Sequence, residues 1–142
     1  MSKLVYMLIF LIFPTSNYAN AKINLDNYIN SFSWKKRIVL FISHKTNIKL
    51  ITEIDQFFKK NICKNEDRSL KYIKIIGHEI DKYNVSDRYK NKYGLWLIGY
   101  DSQVKLYSKD TTLLKKIYNV IDSMPVRRDE IRKKHDEIAK CN

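Results

Sequence analysis

The residues able to do chemistry are few. The chain has two cysteines, Cys63 and Cys141, and three histidines, His44, His78 and His135. A thiolate is a nucleophile, a redox centre and a metal ligand, and a helix N-terminus or a nearby cation makes it more reactive. Cys63 falls near the other end of a predicted helix, where the dipole disfavours the thiolate. Cys141 is the penultimate residue. A bridge between Cys63 and Cys141 would be worth roughly 4 kcal/mol in chain entropy. Two free thiols or an intermolecular bridge are the alternatives. The run Gly77-His78-Glu79-Ile80-Asp81-Lys82 has half of a zinc-helix pattern. Its second histidine would fall at Lys82, so a ligand is missing. The three histidines lie in different segments without the spacing of zinc ligands, and no metal and no cofactor are expected. Ser43 and His44 are neighbours in sequence, which does not bring their side chains together in a Ser-His-acid set.

Four basic or imidazole side chains are candidates for contact with an anion or a partner. His44 and Lys45 lie where a loop enters a helix, and helix N–H groups there can hold an anion. Arg127 and Arg128 follow Pro125 at the start of the last predicted helix, an unfavourable place for cations. They are expected either to pair with acids such as Asp122 or to meet an anionic partner. Trp34 is expected to pack on the sheet edge, with a pocket lining as the other reading. No catalytic residue is assigned.

The elements that must position these residues follow from periodicity. Leu25, Tyr28, Ile29 and Phe32 predict a short helix over 24–32. Ile38-Val39-Leu40-Phe41-Ile42 reads as a strand buried on both faces. Asn47 is a fair N-cap for a helix whose stripe is Leu50, Ile51, Ile54, Phe57, Phe58 and Ile62. A second strand is expected at Leu70–Ile76, parallel to the first. Residues 77–83 read as a loop, Ser86 as the cap of a short helix to Tyr93, and Gly94 as its left-handed exit. Leu95–Ile98 and the alternating segment around Val104 and Leu106 predict an antiparallel pair. Asp110 or Thr111 caps a helix with Leu113, Leu114, Ile117, Val120, Ile121 and Met124 on one face. Pro125 suits N1 of a final, mostly charged helix over 125–140. That helix is expected to pack weakly, with Asp129/Lys133 and Glu130/Lys134 as i,i+4 pairs. The sum is β-α-β, then β-β-α, in one mixed sheet flanked by helices, the core order of a thioredoxin-like fold.

Location is suggested by the first residues. Lys3 precedes ten consecutive apolar residues, Leu4 to Phe13, and Ala19-Asn20-Ala21 supplies a small-x-small site. That is the layout of a signal peptide. Ten helical residues span about 15 Å, too short for a membrane span. The expected division is a signal peptide at 1–21, an N-terminal extension at 22–33, the thioredoxin-like domain at 34–124, and a charged C-terminal helix and tail at 125–142. The mature chain would begin at Lys22, in the periplasm or outside the cell. The formal net charge of the whole chain is +12. A basic exported protein suits an anionic membrane, an acidic polysaccharide or an acidic protein. No Arg-rich helix or aromatic strand motif supports nucleic-acid binding.

Four segments carry a resemblance to a known family. They are Trp34-Lys35-Lys36-Arg37, Asp67-Arg68-Ser69-Leu70, Leu97-Ile98-Gly99-Tyr100-Asp101 followed by Val104-Lys105-Leu106, and Ile121 through Glu130 with its Met124-Pro125-Val126-Arg127-Arg128 core. Over residues 31 to 134 the chain resembles the family called domain of unknown function 4174. The resemblance implies a thioredoxin-like fold in an exported bacterial protein, and it brings no catalytic residue. The chain departs from redox-active thioredoxins in two ways. Ser43-His44-Lys45-Thr46 stands where those proteins have a Cys-x-x-Cys, and Tyr93-Gly94-Leu95-Trp96 lacks their proline. The expected function is a non-catalytic binding or accessory module of the cell envelope, a monomer whose partner is an envelope protein or an anionic surface. The competing class is a thiol-dependent redox or antioxidant enzyme using Cys63 or Cys141. Weak peripheral contact with a membrane is a third expectation.

Overall fold

A computed structural model describes residues 21–44, 47–134 and 141. Residues 1–20 of the expected signal peptide, Lys45 and His135 lie outside the described residues. The chain runs β1 (Ile23–Asn24), α1 (Leu25–Asn30), β2 (Arg37–Ser43), α2 (Ile48–Lys60), α3 (Ile62–Asp67), β3 (Leu70–Ile76), a 3-10 helix (Gly77–Lys82) and β4 (Tyr83–Asn84). It continues through β5 (Gly94–Ile98), β6 (Val104–Ser108), α4 (Thr112–Ser123) and α5 (Pro125–Lys134). It is a mixed α/β fold with a sheet flanked by helices, and the arrangement is consistent with a thioredoxin-like one.

The four-stranded sheet has the order β3-β2-β5-β6. β2 pairs parallel with β3, aligning Val39 with Tyr72 and Ile42 with Ile75. β2 and β6 both pair antiparallel with β5, and Leu40 lies opposite Trp96. β1 and β4 form a separate two-stranded parallel ribbon. Alternation along each strand divides the apolar residues between two cores. Val39, Phe41, Leu95 and Leu97 meet Ile54 and Phe58 of α2 and Leu113, Leu114, Ile117 and Ile121 of α4. Ile38, Leu40, Ile42, Ile73, Ile75, Trp96 and Ile98 face the other way, onto Leu25 and Ile29 of α1 and onto Tyr89. β2 is central and covered on both faces, which is why its sequence is an unbroken apolar run. Each fully buried Leu, Ile or Phe contributes about 1.5–3 kcal/mol by leaving water.

The helix starts follow local chemistry. The Asn47 side chain accepts from the Leu50 N–H at 3.2 Å, capping α2. Asp110 accepts from the Thr112 N–H at 2.8 Å at the start of α4. Hydrogen bonds from Thr112 and Ser108 hold the Asp110 carboxyl down to about 2. Pro125 opens α5 as expected.

Several expectations need correction. Ile62 is not part of the α2 stripe: the chain breaks at Asn61, and Ile62 starts α3 with 55 % of its surface exposed. Residues 77–83 are a 3-10 helix running into β4. No helix forms between Ser86 and Tyr93; turns replace it, with the Tyr89 and Lys90 N–H groups both donating to the Ser86 carbonyl. Asn91 adopts φ 59°, which stops helical propagation, while Tyr89 packs edge-on against Trp96 at 5.0 Å. Gly94 does not end a helix but opens β5. A Cβ there would lie 2.2 Å from the Ser108 carbonyl oxygen, so the strand pairing requires glycine. Trp34 does not pack on the sheet edge; it is 70 % exposed.

Candidate functional site

The four sequence segments singled out above lie far apart in the chain and meet at one end of the sheet. Arg37 opens β2 and is fully buried. In the parallel register it aligns with Leu70, so it points toward the α2/α4 side. Its guanidinium spans Glu130 of α5 with two contacts, 3.2 and 3.3 Å, and donates to the Arg68 carbonyl at 2.8 Å. The Tyr100 ring lies beneath it at 4.0 Å. Arg127, also buried, donates from Nε to Asp122 at 3.3 Å and from Nη1 to Glu130 at 3.3 Å and to the Asp67 carbonyl at 2.9 Å. Its Nη2 bonds the Asp67 carboxylate. Arg68 grips Asp122 with Nε at 2.9 Å and Nη2 at 2.7 Å, and lies 4.8 Å over Tyr118. Lys134 reaches Asp67 at 3.0 Å.

This is a closed exchange of charge. Four cations (Arg37, Arg68, Arg127, Lys134) face three carboxylates (Asp67, Asp122, Glu130). Burial pushes the Asp67 carboxyl up, but bonds from Lys134 and Arg127 outweigh it and hold the group below its ordinary value of 3.8. Burial likewise disfavours the Arg127 cation, and Asp67, Asp122 and Glu130 more than restore it. Bidentate guanidinium–carboxylate contacts are directional, so the cluster fixes geometry as well as charge. It sets α5 against the start of β2 and the α3–β3 connection.

The last helix therefore differs from its expected form. Its apolar Val126 and Ile131 are 41 % and 38 % exposed, and Arg127 is the buried side chain. Glu130 turns to Arg37 and Arg127, Lys134 to Asp67, and Asp129 takes Arg132 at 2.6 Å. These contacts replace the i,i+4 pairs. Arg127 has no exposed surface to offer a partner, because the carboxylates that it was expected to meet as an alternative enclose it. Arg128 is exposed.

His44 lies at the opposite end of the sheet, about 20 Å away by the length of β2. It is exposed, with its ring edge-on to Tyr93 at 4.4 Å. Tyr107 donates to the Tyr93 carbonyl at 2.8 Å, steadying that neighbour. The structure thus does not bring His44 and the arginines together. Cys63 and Cys141 are joined in a disulfide with Cα atoms 5.6 Å apart, which ties the chain end to α3. Among the described residues no group of three or more His, Cys, Asp or Glu could hold a metal ion. An open depression of about 490 Å³, bordered by Asp26, Asn30, Ser86, Asp87, Arg88, Ser102 and Gln103, lies beside α1. None of the residues expected to carry function lines it.

Sequence reasoning missed Asp67, Glu130 and Arg37 as partners. The signal present was a cation at the first position of a buried strand, which requires a buried counter-charge. The order of charges along the chain does not say which carboxylate provides it.

No curated protein and no solved structure gives a significant match to the chain. One family profile does, described as Domain of unknown function (DUF4174), over residues 28–130. The match takes in six of the seven charged residues of the cluster, all but Lys134, and it runs past the boundary expected at residue 125 into α5. The chain belongs to the domain of unknown function 4174 family.

Proposed function

We propose that the mature chain is an exported, non-catalytic binding or accessory domain of the cell envelope, periplasmic or secreted after cleavage near Ala21. Its partner is an envelope protein or an anionic surface. The observation that carries this reading is the use to which the family-bearing residues are put. Arg37, Asp67, Arg68, Tyr100, Asp122, Arg127 and Glu130 form one network of contacts, and their contacts bind helices to strands. The Arg127 guanidinium gives Nε, Nη1 and Nη2 to carboxylates and a carbonyl and has little left to stabilise a developing charge in a substrate. The helix-start junction after β2 carries Ser43 and His44 without a thiol, and both sulfurs are committed to a bridge on α3. A reaction based on a lowered thiol pKa lacks its usual setting.

The test is expression of the full chain in an export-competent bacterium, followed by fractionation, mass measurement and cross-linking. The expected result is a chain beginning at Lys22 in the extracytoplasmic fraction, cross-linked to an envelope component. An uncleaved chain in the cytoplasm would overturn the location. Recovery of the protein cross-linked only to itself, together with rapid turnover of a small disulfide substrate, would overturn the binding role.

A further inference from the structure

Trp34 is an aromatic side chain held outward at an energetic disadvantage. It is 70 % exposed and its φ is 60°. Bulky residues avoid that left-handed region, which glycine enters without penalty. The turn that contains it is firmly held. The Trp34 N–H donates to the Tyr100 carbonyl at 2.9 Å, and the Lys35 and Lys36 N–H groups donate to the Phe32 carbonyl at 3.0 and 2.9 Å. Beside it, the Ser33 and Ser102 hydroxyls are hydrogen-bonded to each other. The indole is thus presented by a fixed frame.

The charges around this turn are unevenly matched. Arg37 is paired with Glu130, and Lys105 across the neighbouring turn is paired with Asp101 at 2.6 Å. Lys35 and Lys36 are exposed and have no carboxylate partner among the described residues. The turn therefore shows an exposed indole on a hydrogen-bonded backbone, beside two lysines without a carboxylate partner among the described residues. Indole rings favour the boundary between headgroups and acyl chains, and lysines beside them favour anionic headgroups. A protein interface of ordinary size needs about 800 Å² on each partner and an apolar centre. A single projecting aromatic flanked by lysines supplies too little apolar surface for that. We propose that the Phe32–Lys36 turn docks on an anionic phospholipid surface, with Trp34 at the headgroup boundary and Lys35 and Lys36 on the phosphates. This rests on the exported reading only for where the protein meets a bilayer.

The experiment uses the chain from Lys22, within which every described element lies, and vesicles of phosphatidylglycerol with phosphatidylcholine or of phosphatidylcholine alone. Cosedimentation is expected with the anionic vesicles and to weaken as salt rises. The K35Q/K36Q variant should bind roughly 25-fold more weakly, at about fivefold per lysine. The W34G variant should bind about tenfold more weakly, while its thermal midpoint stays level or rises because the strained φ is relieved. That pairing of outcomes separates docking from a structural role. Equal binding by native protein and both variants would overturn the inference. So would equal binding to neutral vesicles, competition by millimolar inorganic phosphate at constant ionic strength, or capture of an acidic protein without vesicle binding. A cytoplasmic chain that still binds vesicles would overturn the exported reading alone. An exported chain that does not bind them would overturn this inference alone.

Discussion

Removing Glu130 should be costly out of proportion to its own exposure. The carboxylate is 23 % exposed, but its principal partner, the Arg37 side chain, is 1 % exposed. E130A deletes both Arg37 contacts, at 3.2 and 3.3 Å, and one to Arg127 at 3.3 Å. Among the described residues, the Arg37 side chain then keeps the Arg68 carbonyl and the Tyr100 ring. Breaking a buried pair from one side costs about 3–5 kcal/mol because a charge is left without its counter-charge. Water can reach the Glu130 position, so the lower end, about 3 kcal/mol, applies. Against a total of about 5–15 kcal/mol, that is a large share. For a domain of this size the thermal midpoint should fall by roughly 10–15 °C. The R37M/E130L double variant replaces the pair with apolar groups of similar volume and should recover most of the loss. Thermal and urea unfolding of native protein, R37M, E130L and the R37M/E130L double variant gives the coupling directly. A loss under about 1 kcal/mol for E130A would show an ordinary surface pair and refute the reasoning.

Other outcomes follow from the same structure. The C63S/C141S variant should lose about 4 kcal/mol, since the bridge joins residues 78 apart in sequence; urea unfolding with and without reductant measures it. Asp67 is held below 3.8 in the folded chain, so its contribution is complete above about pH 4 and is lost as pH falls through the folded value. D67N should therefore be less stable than native protein at neutral pH and show a shallower decline on acid titration. G94A should lose about 3 kcal/mol or more, because the new Cβ would meet the Ser108 carbonyl and Gly94 has φ 143°; circular dichroism on heating reads the change.

The sheet was legible because its strands carry their own signals. Ile38–Ile42 and Leu95–Ile98 are continuous apolar runs, and both proved central and doubly covered. α2 and α4 were legible from stripes whose residues now fill one core. Ser86–Tyr93 was misread because a cap signal followed by a tyrosine fits a helix equally well. The burial of Tyr89 against Trp96, a tertiary contact, decided for turns. α5 was legible in part, since Pro125 opens it and Arg127 meets Asp122 as expected, but its buried face was not. Hydropathy assigns charged residues to solvent, and Arg127 is buried through contacts with Asp67, Asp122 and Glu130. The pairing of Asp67 with Arg127 spans 60 positions, and local spacing carries no trace of such a contact. The exposure of Trp34 was hidden likewise, since it depends on a turn whose anchor is the distant Tyr100 carbonyl.

We propose that the Cys63–Cys141 bridge is structural and turns over no substrate. Incubating the oxidised protein with a thiol reductant and an excess of a small disulfide substrate tests this most directly. The expected result is a single, slow, stoichiometric opening of the Cys63–Cys141 bridge, with substrate consumed no faster than in the uncatalysed exchange. Repeated cycling at a rate well above the uncatalysed exchange, lost in C63S or C141S, would contradict it.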